Sequence, residues 1–155
     1  MTVEILKSAF DPHKRLGDYQ AAHGSEGRCG AEASFVGYMR DNNEGERVTG
    51  MYLEYYPGMT DRHLQAIAAE AGKRWDLLDV LIVHRVGDIQ LGEAIVLVAA
   101  WAAHRADAFE ACRFMMEDLK SRAPFWKKEQ LEQGERWVEK NTPGFSQTGK
   151  QKSDN

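Results

Sequence analysis

With 155 residues, 43% hydrophobic and 28% charged, the chain has the size and balance of one globular domain with a real core. A formal net charge of −4 leaves no general nucleic-acid footprint, so any basic site must be local. Cys29 and Cys112 are too far apart in sequence to read as a metal or redox motif; with no signal-peptide pattern and no apolar run of bilayer length, a reducing cytoplasm is the expected compartment.

In chain order, Thr2 to Leu6 reads as a short strand. Asp11-Pro12 is a helix start, with Asp as the cap and Pro at the first helical position, and that helix should run to about Ala22. His23 to Gly30 is a glycine-rich loop, and Ser34 to Met39 is a strand in which Gly37 marks a bulge or a close approach. Asp41 to Glu46 is polar and reads as a mobile loop. Val48 to Tyr56 is a strand with Met51, Leu53 and Tyr55 on one face, ended by Pro57-Gly58. Thr60 can cap the following helix, whose apolar stripe is Leu64, Ile67, Ala68, Ala71 and Trp75.

Val80 to Val86 is a strand rich in β-branched residues, and Gly87-Asp88 to Leu91-Gly92 brackets a connection. Ala94 to Ala103 is a continuous apolar run of buried-strand length. A long helix follows, with Ala108, Cys112, Met115 and Leu119 as its stripe and Phe109 and Met116 beside them. Pro124 disfavours helix at Ala123, so this helix ends near Arg122. Glu135 to Glu139 can add a short ordered element, and the polar composition from Asn141 onward predicts a flexible tail beyond a single domain of residues 1–140. Two helices gathered on one sheet face make the fold class α+β.

The chemistry gathers on the last helix. His104 and Arg105 enter it, while Lys120, Arg122, Lys127 and Lys128 lie at its far end. A helix of roughly 16 residues is about 24 Å long, so one helix cannot bring the two sets together. The charge therefore has two readings, a solvated helix face or an anion pocket completed by a neighbouring loop or a second subunit. Lys120 acquires a lowered pKa, and with it acid, base or nucleophilic character, if Lys127 or Arg40 approaches. Phe125-Trp126 reads either as a hydrophobic plug or as the wall of a pocket for a flat ring. No Gly-rich phosphate loop or nucleophile elbow is present, and the histidines show no metal spacing. His84 reads as a strand-end core residue.

The segment Leu119-Lys120-Ser121-Arg122-Ala123-Pro124-Phe125-Trp126-Lys127-Lys128-Glu129 resembles the signature of the large, catalytic subunit of molybdopterin synthase. Further blocks occur in the same order as in that family. They are Gly37-Tyr38-Met39-Arg40, Leu53 to Thr60, Ile82 to Gly87, Ala103-His104-Arg105 and Arg136-Trp137-Val138-Glu139, so the resemblance covers about residues 3 to 140. It implies an α/β hammerhead-like sandwich with an additional small β subdomain. It also implies a homodimer carrying one small ubiquitin-like sulfur-carrier subunit at each end, a heterotetramer. The carrier's thiocarboxylate tail would give sulfur to cyclic pyranopterin monophosphate, forming the dithiolene of molybdopterin, with no metal or cofactor in the large subunit.

By the same resemblance Lys120 and Lys127 are catalytic. Arg40, His104 and Arg105 bind the anionic pterin, and Tyr38, Met39, Lys120, Lys127, Lys128 and Glu129 complete the substrate-binding set. Tyr38 and Met39 stand where the family often carries other side chains; contact through their backbone would survive that difference. The separated clusters would then meet across the dimer. A non-catalytic docking module for a ubiquitin-like protein is the competing class; the paired lysines and the His104-Arg105 pair favour an enzyme.

Overall fold

A computed structural model describes residues 1–24, 26–43, 45–132 and 134–138. The expected flexible tail and Glu139 lie outside the described residues.

The first sheet has the order β1-β5-β7-β2, formed by β1 (Thr2–Leu6), β2 (Ala31–Tyr38), β5 (Leu77–Arg85) and β7 (Ala94–Ala102). β1 runs parallel to β5, and the other neighbours are antiparallel. β5 and β7 are apolar at almost every position because both of their faces are covered. Val80, Ile82, Val96, Val98, Ala100 and Ala102 pack under α2 (Met59–Arg74) and α3 (Arg105–Arg122). The alternate residues Leu81, Val83, Leu97, Ala99 and Trp101 pack against Tyr19 and Leu16 of α1 (Pro12–His23). α1 begins as its sequence predicts. The Asp11 carboxylate accepts from the His13 and Lys14 backbone N–H groups at 3.0 and 3.1 Å, and Pro12 opens the helix.

The second sheet is the additional β layer. Its order is β3-β4-β8-β9, with β6 also on β4. These strands are β3 (Asn42–Asn43), β4 (Glu46–Tyr55), β6 (Gly87–Gln90), β8 (Phe125–Leu131) and β9 (Gly134–Val138). Its buried face joins Val48, Met51 and Leu53 to Val86, Ile89 and Met39. A register shift between Val48 and Gly50 moves the inward phase of β4 by one residue, so Val48 and Met51 both face the core.

Several sequence expectations give way here. The segment bracketed by Gly87 and Gly92 contains β6, which pairs with β4, and the polar segment after Arg40 contains β3. Thr60 does not cap α2. Gly58 stands at the cap with φ 84°, and its N–H donates to the Asp61 carboxylate at 2.8 Å. Thr60 is buried instead. Its hydroxyl accepts from the Tyr56 N–H at 3.0 Å and donates to the Pro124 carbonyl at 3.1 Å. That pair ties the start of α2 to the turn between α3 and β8. Phe109 is 67% exposed, whereas Met116, seven residues on and at nearly the same helical azimuth, is 7% exposed. The azimuth is shared, so the difference lies in what covers each end of α3.

Gly37 sits at the β2 bulge, and a Cβ there would come within 3.0 Å of Val96. Both meanings read from the sequence therefore hold at this glycine.

Candidate active site

Two local rules place the site. α3 stops at Arg122 before Pro124, which leaves Lys120 in its last turn over the join between the sheets. β8 then starts at once, and its period of two puts Phe125, Lys127 and Glu129 on the inner face and Trp126 and Lys128 on the outer. Pairing with β4 sets Lys127 opposite Leu53 and Glu129 opposite Met51.

The result is a narrow cavity of about 50 Å³ lined by Lys120, Lys127, His84, Phe125, Leu53 and Leu119, among others. Small-molecule sites usually enclose several hundred Å³, so this slot is small by comparison. A cavity of about 490 Å³ lies elsewhere, by the end of α1, and is lined by none of the residues expected at the site.

The electrostatics of the slot follow from crowding cations in a poorly solvated place. Lys120 is pushed down to about 8, first by burial and then by Lys127 and Arg40. Lys127 is also lowered, chiefly by burial, with Glu129 opposing the shift and Arg40 adding to it. At neutral pH Lys120 is thus mostly an ammonium that can release its proton within the ordinary working range. Glu129 is 2% exposed and accepts from Arg136 Nε at 3.2 Å and Nη2 at 3.1 Å. Arg136 also reaches Glu46 at 3.3 Å.

His84 closes the floor. It is 5% exposed, its ring stacks on Phe125 at 4.0 Å, and its Nδ1 lies 2.8 Å from the Arg85 carbonyl. Burial pushes its pKa down to about 4, with Lys120 lowering it further. The core reading of His84 holds for its burial, yet the residue also lines the cavity. The next residue, Arg85, turns away and pairs with Glu93.

The nine expected site residues do not converge. Lys120 and Lys127 share the slot, Arg40 is close enough to act on both, and Glu129 stands behind Lys127. Lys128 does not join them. It points out of the opposite face, pairs with Glu135 at 2.8 Å and lies over Trp137 at 5.7 Å. Met39 is buried, its N–H donates to the Glu93 carbonyl at 3.0 Å and its carbonyl accepts from Gly92 at 2.9 Å. A backbone N–H contact from Met39 to a substrate is therefore already spent inside the fold. Tyr38 is exposed, with its hydroxyl 3.5 Å from His13 Nε2. His104 and Arg105 are exposed at the opposite end of α3, sixteen and fifteen residues from Lys120, a helical rise of about 24 Å. Within one chain the two clusters stay apart, as the helix length requires.

Among the described residues no cluster of three or more His, Cys, Asp or Glu could hold a metal ion. No helix among them is long and apolar enough to cross a membrane.

An α+β sandwich that brings two half-buried lysines to one narrow slot defines a class of protein with a cationic site suited to an anionic group. Comparison with known proteins narrows that class. A model of the MoaE protein family matches residues 7–122. The molybdopterin synthase catalytic subunit of Pseudomonas aeruginosa is 52% identical over 139 residues, 90% of this chain and 91% of that protein. The Escherichia coli protein of the same name is 48% identical over 110 residues, 71% of this chain and 73% of that one. Among solved structures, a molybdopterin biosynthesis MoaE protein from Burkholderia ambifaria has a TM-score of 0.75 at 47% identity, covering 91% of this chain and 90% of its own. A molybdopterin synthase from Staphylococcus aureus has a TM-score of 0.78 at 30% identity, covering 87% and 95%. The chain belongs to the MoaE protein family.

Proposed function

We propose that this chain is the catalytic subunit of a molybdopterin synthase and acts as a sulfurtransferase in the cytoplasm. It moves sulfur from the C-terminal thiocarboxylate of a small ubiquitin-like carrier to cyclic pyranopterin monophosphate and so builds the dithiolene. The observation that carries this reading is the slot itself, where Lys120 and Lys127 line one narrow cavity beside His84 and Phe125.

The chemistry follows from that arrangement. The thiocarboxylate enters as an anion and is paired by the two lysines. The thiocarboxylate sulfur bonds to a pterin carbon, and water then adds to the acyl carbon. Breaking the acyl carbon–sulfur bond leaves the sulfur on the pterin and the carrier as a carboxylate. The Lys120 ammonium stabilises the charge on the acyl oxygen during the addition of water. With a pKa of about 8, Lys120 can also pass its proton to a leaving group at neutral pH. The pterin phosphate sits outside the slot, where Arg40 offers a bidentate donor. His104 and Arg105 serve the same ligand from a second copy of the chain. Exposed Phe109, one turn from Arg105, supports a partner covering that end of α3. Residues 1–140 act as one unit in this scheme, within a heterotetramer.

A single-turnover assay tests the reading. The protein is mixed with a thiocarboxylated carrier and the cyclic pterin, and dithiolene formation is followed. Lys120→Ala should slow the chemical step by about 10²–10³-fold, the usual scale for removing one oxyanion donor. Carrier binding without product from the native chain would leave only a docking protein. Sharing of the site is tested by mixing inactive Lys120→Ala and Arg105→Ala chains. Exchange of subunits should restore activity, because one site of each mixed dimer is intact; no recovery after proven exchange would place the whole site in one chain.

A further inference from the structure

One group in the slot has no role in the scheme above. Among the described residues lining the cavity, His84 is the one whose side chain carries a nitrogen or oxygen lone pair; the other polar liners, Lys120 and Lys127, are donors when charged. The position of its lone pair follows from its surroundings. The Arg85 carbonyl, 2.8 Å away, can only accept, so Nδ1 carries the hydrogen. The ring is buried on β5 and stacked on Phe125 at 4.0 Å with 17° between planes, which prevents a flip. Nε2 is then the free-electron edge of a neutral imidazole.

We propose that His84 is a positioning residue: its Nε2 accepts a hydrogen bond from the Lys120 ammonium and aims that ammonium along the slot. The inference rests on the sulfur-transfer reading for its role in the reaction, but the contact itself does not depend on it. His84 acts as an acceptor and not as a base. Its pKa of about 4 lies well below the value of about 8 for Lys120, so a proton shared between them resides on the lysine. The charged and titratable groups around this pair are Lys120 from α3, Lys127 and behind it Glu129 from β8, and Arg40 from the segment after β2. Burial and the Lys120 charge favour a neutral His84. A neutral acceptor supplies what a third cation could not, a fixed direction for a flexible side chain close to two other cations.

Two measurements on the complete protein without substrate test this. Nitrogen-15 spectra of labelled histidine should show His84 with Nδ1 protonated and Nε2 bare from pH 9 down to about pH 5; an Nε2–H tautomer, or an imidazolium at pH 7, overturns the proposal. Lys120 is then titrated by the pH dependence of its acylation, read by mass spectrometry. His84→Phe keeps the stacking and removes the acceptor, and should lower the Lys120 midpoint by about one unit, the scale of one lost hydrogen bond. His84→Gln restores an acceptor and should return the midpoint towards the native value. An unchanged midpoint in His84→Phe makes His84 a packing residue only. If His84→Phe does not fold, His84→Leu carries the same comparison. Native chain that makes no dithiolene would sink the sulfur-transfer reading and leave these titrations standing.

Discussion

Lys127 and Lys128 are neighbours on β8 and have opposite fates. Lys127 faces inward beside a second lysine, and its pKa falls, chiefly by burial. Lys128 faces outward, meets Glu135 and an indole ring, and its pKa rises through the Glu135 contact. One residue of strand period separates a reactive environment from an ordinary surface ion pair. The charge is the same; solvation and neighbours decide what it does. The same contrast holds along α3, where Lys120 is enclosed and Arg105 is open to solvent.

The contrast can be tested in order of effect. Lys127→Ala should lower the single-turnover rate by about 10²-fold, the lower range for a positioned charge in a dry site. Glu129→Gln should cost about 3 kcal/mol of folding stability by denaturant titration, because it removes the buried negative charge that faces Arg136. That loss would also deprive Lys127 of the Glu129 charge that favours its ammonium, so the rate should fall with it. A smaller effect is expected from pH. The folded pKa of Lys120 is about 8 against a usual 10.5, so between those values the unfolded chain holds a proton that the folded chain has released. Stability from this group therefore rises with pH across that window, and Lys120→Met should flatten the rise and stabilise the protein at pH 7 while slowing transfer as Lys120→Ala does. Lys128→Ala sits at the bottom of the scale. It should change stability by no more than about 0.5 kcal/mol and leave the rate within about twofold. A large loss of rate there would mean that the outer face of β8 also meets a substrate or partner.

Much of the architecture was legible in the chain. The first sheet and its helices announce themselves because β5 and β7 are buried on both faces and the helix stripes recur at helical spacing. β8 hid itself for the reason that brings charge to the slot. Its inward positions include Lys127 and Glu129, so the apolar alternation that marks a strand is absent. β6 has only the segment Gly87–Gln90, too short for a periodic signal. Phe109 obeys the helical stripe and is exposed, because a stripe records azimuth and not what lies opposite.

The sequence by itself determined the α+β class, the ends of α3, the separation of His104 and Arg105 from Lys120, and, through its ordered motifs, the family. Those are local or cumulative properties, readable from spacing and from residue identity. Only the tertiary structure decided that Lys127 enters the slot while Lys128 leaves it, that the Met39 N–H is already committed, and that a core histidine lies beside the lysines. Each of these depends on which strand pairs with which, and that pairing is made by residues distant in the chain whose contacts no local pattern encodes.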